Sequence, residues 1–284
     1  MLNDYLKTAP QLILPKQGLT HFAGFMARIK TPVIKNWLIQ DFIKRYNVNM
    51  NEAREENPEN YACFNDFFIR HLKSECRPLA EADILSPVDG SISELGLIEE
   101  GKILQAKGRY YTVNELLASN ANLSTKFNHG RFATVYLAPK DYHRVHMPID
   151  GQLKEMIYVP GRLFSVQPTT ARVLPQLFAR NERLVCFFET QLGLMAMVLV
   201  GATIVGAIGT RWQGDIKRSR QRQQLNLASI SEEQAFVKKG EEMGYFKLGS
   251  TVVLLFADGE KFHWQENLKA GSSIRYGQAL GQSE

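Results

Sequence analysis

The chain has 284 residues, 44% apolar and 22% charged, with 21 Gly and 11 Pro, which excludes a disordered, collagen-like or disulfide-scaffold protein and leaves room for roughly two domains. Its three cysteines, Cys63, Cys76 and Cys186, have no Cys-x-x-Cys spacing, arguing against a zinc site and for a reducing compartment. The net charge of +5 is carried entirely by residues 1–50, with seven cations and two anions, so an anionic partner is expected to meet this segment and not the neutral remainder.

Lys7, Pro10, Pro15 and Lys16 break up the early apolar run Leu12-Ile13-Leu14, so no secretory leader is expected and the chain should stay on the cytoplasmic side. From Leu19 the sequence reads as two helices split at Pro32. The second carries Val33, Ile34, Trp37, Leu38 and Phe42 on one face, flanked by Lys35, Lys44 and Arg45. That pattern describes helices lying in a membrane interface, or else a pair packed on their own body.

A helix is expected over Phe64–Leu72 and another over Val113–Ala118, the latter opened by a Thr112-x-x-Glu115 capping box. Between turn signals lie short β-rich runs: Ile84–Leu85, Ile103–Ala106, Phe132–Leu137, Leu184–Phe188 and Val252–Phe256. Leu192–Gly209 has no charge over eighteen residues, but its glycines and β-branched runs suit two buried strands bent near Gly201 better than a membrane span. Arg218–Gln224 reads as a polar, mostly cationic loop. The expected class is α+β: a mostly antiparallel β core with flanking helices, preceded by amphipathic membrane-associating helices.

Three places hold residues able to do chemistry. Asp89-Gly90, after Ser86-Pro87-Val88, alone reads as a hairpin turn. His143 and His146 lie three apart, on opposite faces if in a strand, and so suit two roles better than one metal; alone they read as ordinary histidines. Gly249-Ser250-Thr251 precedes an apolar strand and alone reads as a turn entering a sheet. Together they form an Asp, His, Ser set, in which a histidine takes the hydroxyl proton and a carboxylate orients the histidine. A hydrolase elbow would need glycines where Leu248 and Val252 stand.

The ordered set Phe64-Asn65-Asp66-Phe67-Phe68, Ser86-Pro87-Val88-Asp89-Gly90, Asp141-Tyr142-His143-Arg144-Val145-His146-Met147-Pro148, Gly161-x-Leu163-Phe164-Ser165-Val166, Asn181-Glu182-Arg183, Val200-Gly201-Ala202-Thr203 and Phe246-Lys247-Leu248-Gly249-Ser250-Thr251 closely resembles the bacterial phosphatidylserine decarboxylases. It departs at Ala207, where relatives often have Ser, and in the tail after Asp258. The resemblance implies a self-processing enzyme. Ser250 would attack the Gly249 carbonyl, the resulting ester would eliminate, and residue 250 would lose ammonia to become a pyruvoyl group. The products would be chains 1–249 and 250–284. Asp89, His146 and Ser250 would form the self-cleavage triad, and His143 would serve decarboxylation. Chemically, loss of carbon dioxide from an amino acid needs an electron sink that no ordinary side chain supplies. The pyruvoyl carbonyl provides one by forming a Schiff base with the substrate amine, and an imidazole can then return a proton to the α-carbon.

The expected organisation is therefore residues 1–50 as basic membrane-associating helices and 51–284 as the catalytic domain. Expected partners are phosphatidylserine and an anionic phospholipid membrane, with the protein peripheral on the cytoplasmic face; neither nucleic acid nor metal is expected, and a homo-oligomer stays open. The competing readings are a pyruvoyl decarboxylase of a soluble amino acid, an unprocessed membrane-binding homologue and a Ser-His-Asp hydrolase.

Overall fold

A computed structural model of the chain describes residues 2–9, 11, 16–203 and 207–283. Its centre is the strand Ser250–Phe256, whose seven residues are all buried. A continuous apolar run is what a strand covered on both faces requires. Val252, Leu254 and Phe256 enter one core, while Val253 and Leu255 enter the other, as the two-residue period of a strand dictates. Along its edges it pairs antiparallel with Gly193–Gly201 and with Arg131–Leu137, in unbroken register on both sides.

The same sheet continues through Arg183–Thr190 and Gly151–Val159 on one side and Gly90–Leu97 and Ser273–Ile274 on the other. A four-stranded sheet, ordered Gly214–Asp215, Ala207–Thr210, Glu242–Lys247, Arg144–His146, and a three-stranded one, Ile84–Leu85, Ala279–Ser283, Phe262–Trp264, supply residues to the first core. The helices Val113–Leu117, Pro168–Val173 and Leu177–Arg180 cover the second. The strand pairings are antiparallel and the helices flank the sheets, so the α+β expectation holds. The Thr112–Glu115 capping box is formed.

The uncharged stretch after Leu192 forms two strands in different sheets, with the chain leaving the first at Gly201. Residues 204–206 of that stretch lie outside the described residues. Among the described residues, no helix is long and apolar enough to cross a membrane.

At the N-terminus, Leu2–Thr8, Lys16–Met26 and Pro32–Tyr46 are helical, with Pro32 in the first turn of the third, where its missing N–H costs nothing. The first docks on Pro168–Val173 through Asp4 and Arg172, 2.9 Å apart. The expected single apolar face of the third helix is split in two. Val33, Ile34 and Trp37 face outward, while Leu38, Ile39 and Phe42 pack on an aromatic cluster with Phe64, Phe67 and Phe68. Lys35 is buried, its ammonium donating to the Glu59 carbonyl at 2.7 Å, so it does not flank an exposed face.

Three local expectations are corrected. The helix expected to reach Leu72 stops at Phe68, because residues 71–73 run beside 52–54, with Arg54 donating to the His71 carbonyl and Lys73 to that of Glu52. His143 precedes the strand that holds His146 instead of sharing it. The loop Arg218–Gln224 is partly tied down, Arg218 to Glu182 and Gln223–Gln224 to the strand Gly151–Val159.

Candidate active site

Ser250 begins the central strand, opposite Leu137 on one side and Gly201 on the other. The strand Glu242–Lys247 reaches it through only two residues, Leu248 and Gly249, both left-handed, with φ of 76° and 66°. Glycine accepts this conformation freely, whereas a leucine pays roughly 1–2 kcal/mol. Strain is thus stored one residue before the Gly249–Ser250 peptide. The Ser250 side chain has no exposed surface, and its Oγ has no hydrogen-bond partner among the described residues. Behind it, the buried Asn181 amide donates to the carbonyls of Gly201 and Phe164 and accepts from the Phe164 N–H. This staple holds the neighbouring strand end in place.

The two histidines occupy separate surroundings. His143 is fully buried with its Nδ1 2.8 Å from the Asp141 carbonyl and its ring against Phe68, centroids 4.3 Å apart. That bond places the proton on Nδ1 and leaves Nε2, which has no partner among the described residues, as a free lone pair. Its own carbonyl accepts from the Phe246 N–H, four residues ahead of Ser250. His146 lies against Tyr276, centroids 3.7 Å apart, and its amide donates to the Pro87 carbonyl, two residues before Asp89. Burial pushes both imidazoles down to about 3, aided by Arg70 at His143 and by Arg144 at His146. Both are therefore neutral near pH 7 and able to accept a proton.

Asp89 ends the turn that crosses from the three-stranded sheet into the central one, not a hairpin. Its carboxylate is gripped by Arg77, at 2.6 Å from Nη2 and 3.1 Å from Nε, and accepts from the Tyr276 amide at 2.8 Å. Arg77 also reaches Glu52 at 2.7 Å. Burial works against this guanidinium, but the two carboxylates outweigh it and raise its pKa. Asp89 and His146 thus share Tyr276 as a neighbour without bonding to each other. No hydrogen bond joins Asp89, His146 and Ser250 in this structure.

A cavity of about 390 Å³ opens beside this set, lined by Asp89, Arg77, Arg70, Asp141 and Tyr142 among others. It reaches Ala138, the residue after Leu137, but not Ser250 or either histidine. Arg77, Tyr276 and Arg70 were not among the expected site residues. Arg77 and Tyr276 meet Asp89 only through long-range folding, and no local pattern marks them. Among the described residues, no group of three or more His, Cys, Asp or Glu is arranged to hold a metal ion.

Comparison with known proteins places this geometry in context. The family model described as phosphatidylserine decarboxylase matches residues 64–282, and one described as PSD matches residues 6–47. A phosphatidylserine decarboxylase proenzyme of Legionella pneumophila strain Philadelphia 1 is 59% identical over 280 residues, covering 99% of both chains. Proteins of the same name from Yersinia enterocolitica and Polaromonas naphthalenivorans are 50% and 47% identical, each covering 97% of the relative and 99% and 98% of this chain.

Proposed function

The chain belongs to the phosphatidylserine decarboxylase family, and from that premise we propose that it cuts itself between Gly249 and Ser250 and then converts phosphatidylserine to phosphatidylethanolamine and carbon dioxide. The observation that carries the reading is the burial of Ser250. In the uncut chain a hydroxyl with no exposed surface meets no external ester, which disfavours a hydrolase that stays whole; in the decarboxylase reading the substrate meets residue 250 only after the Gly249–Ser250 peptide has opened. The Gly249 carbonyl, by contrast, is next to it along the chain.

In this reading, neutral His146 takes the Ser250 hydroxyl proton as Oγ adds to the Gly249 carbon. The peptide C–N bond breaks to leave an ester and a free amine at residue 250. Loss of the α-proton then expels the Gly249 carboxylate, and addition of water releases ammonia. The left-handed pair Leu248–Gly249 favours these steps twice over, since Gly249 offers no side chain to block the approach and strain at Leu248 is relieved once the peptide opens. Asp89, held by Arg77 and the Tyr276 amide, is tied through Tyr276 to the ring that packs on His146.

The residues present fit a pyruvoyl group at position 250, because the unpartnered Oγ loses no hydrogen bond when it is consumed and the carbonyl is carried on a strand locked from both sides. A pyruvoyl group there would supply a carbonyl able to condense with the substrate amine and to accept the electron pair released with carbon dioxide. His143, with a free Nε2 on a buried neutral ring, has the lone pair to relay a proton to the α-carbon, its lowered pKa making it a carrier that gives the proton up readily.

Residues 1–50 supply the membrane contact. Phe22, Phe25, Val33 and Trp37 are exposed by 63–80% on adjacent helices, with Arg28 and Lys30 exposed between them. Such a surface lies in an interface, its apolar side chains among acyl chains and its cations at anionic headgroups. In this reading the protein sits peripherally on the cytoplasmic leaflet.

The test is the intact mass of the purified protein under denaturing conditions. A 35-residue C-terminal fragment, lighter by one ammonia than a Ser-terminated peptide, is the expected result. A single uncut chain after incubation, with no turnover of phosphatidylserine, would overturn the reading.

A further inference from the structure

Arg70 is a buried cation with no ion-pair partner among the described residues, the carboxylates of Asp89 and Glu52 acting on it only from farther away. It is 5% exposed, its Nε has no acceptor among the described residues, and its one hydrogen bond runs from Nη2 to the Lys140 carbonyl at 3.4 Å. Among the described residues no carboxylate lies within ion-pair distance of it, and its other close neighbour is the Phe67 ring, 5.3 Å from Cζ. Burial lowers its pKa, yet a guanidinium stays charged in proteins. Burying such a charge without a partner costs several kcal/mol, so a site that keeps it has a use for it.

Arg70 lines the 390 Å³ cavity. The other cations there are less available or less confined: Arg77 is taken by Asp89 and Glu52, Arg275 lies 3.6 Å from Glu52, and Lys140 is solvent-exposed. The cavity wall contains Ala138, next to the strand partner of Ser250, and Asp141, whose carbonyl holds His143. An anion bound by Arg70 would thus lie against chain neighbours of both the group made from Ser250 and the proposed proton carrier, though the cavity touches neither of those groups itself.

We infer that Arg70 binds the phosphodiester of the substrate headgroup and thereby sets the position of the serine moiety; this rests on the decarboxylase reading above. The headgroup offers two anions, and the chemistry chooses between them. A cation on the carboxylate would stabilise the ground state more than a transition state in which that charge is leaving, and so would slow the reaction. The phosphodiester keeps its charge throughout, and a guanidinium can meet two of its oxygens at once.

The experiment uses Arg70→Gln and Arg70→Lys in the full chain, with cleavage checked by mass first. For cleaved Arg70→Gln, KM for a dispersed short-chain phosphatidylserine is expected to rise roughly 10- to 100-fold with little change in kcat, and Arg70→Lys should recover part of the loss. If Arg70→Gln is uncut, the same KM comparison is made on Arg70→Lys, where a smaller rise is expected. Glycerophosphoethanolamine, which has the phosphodiester and no carboxylate, should inhibit the wild type competitively and lose that effect in the variant. An unchanged KM would overturn the assignment, as would inhibition by free serine that depends on Arg70 while glycerophosphoethanolamine inhibition does not. An uncut Arg70→Lys chain would also overturn it, by showing that the cation serves self-cleavage. A wild type that is cut but does not turn over phosphatidylserine refutes the decarboxylase reading instead.

Discussion

The imidazole of His146 lies nearly parallel to the ring of Tyr276, 17° between planes and 3.7 Å between centroids, while the amide of the same tyrosine binds the Asp89 carboxylate. Tyr276 belongs to the segment that the proposed cut would make the small chain, so that segment would align two groups of the large one. Tyr276→Leu keeps the amide and removes the ring, and should slow self-cleavage by roughly 2- to 10-fold, the worth of an aromatic contact. Tyr276→Phe loses only the hydroxyl bond to the Gly240 carbonyl and should cleave near the normal rate. Time courses of the two fragments on denaturing gels check both.

Ser250→Ala should give an intact chain with no decarboxylase activity. Because the Oγ has no partner, its removal breaks no hydrogen bond, and unfolding stability should stay within about 0.5 kcal/mol of the uncut wild type. Denaturant melts of the two uncut forms make the comparison. A cleaved alanine variant would refute the nucleophile assignment.

Leu248→Asn tests whether backbone strain assists the cut. Asparagine tolerates the left-handed region better than leucine, so relief of about 1 kcal/mol should slow cleavage roughly fivefold. Faster cleavage would show that the geometry at Leu248 hinders the reaction.

Acid should destabilise the uncut protein early. His143 and His146 titrate near 3 in the fold against 6.5 as free side chains, so the unfolded chain takes up their protons first as pH falls. The stability they preserve is complete above about pH 6.5 and is lost progressively toward pH 3. Melting temperature between pH 7 and 4.5 should fall for the wild type and fall less for His143→Gln, whose side chain does not titrate. Equal slopes would remove the buried neutral histidine from the account.

Trp37→Glu with Phe25→Glu should abolish binding to vesicles containing anionic phospholipid, since each side chain contributes roughly 1.5–3 kcal/mol when buried in lipid, while leaving self-cleavage intact. Flotation with vesicles at low and moderate salt reads this out. Lys35→Ala should act differently, reducing stability through its lost bond to Glu59 with little change in flotation of the folded fraction.

The central strand was legible because Val252–Phe256 is apolar without interruption, a pattern that only burial on both faces explains. The capping box at Thr112 was legible for a similar reason, as its signal is confined to four residues. What sequence hid was whatever depends on distant pairing. The early end of the Phe64 helix comes from contacts with residues 52–54, and the turning of Lys35 inward comes from Glu59. Asp89, His143, His146 and Ser250 are proposed as site residues through the family resemblance; local pattern alone would have left each as a turn or an ordinary histidine. Arg77 and Tyr276 escaped because their partner, Asp89, lies 12 and 187 residues away in sequence.

The two-sided hydrogen bonding of Ser250–Phe256 sets the lifetime of the chemistry. A dissociable coenzyme can be replaced when it is damaged, and an inhibited enzyme can be reloaded. On the proposed chemistry the reactive carbonyl rides on a peptide that could leave only by unzipping the middle of the molecule, and no second copy can be fitted in its place. Catalytic capacity is therefore renewed by translation alone, and a reagent that consumes the carbonyl silences that polypeptide for good.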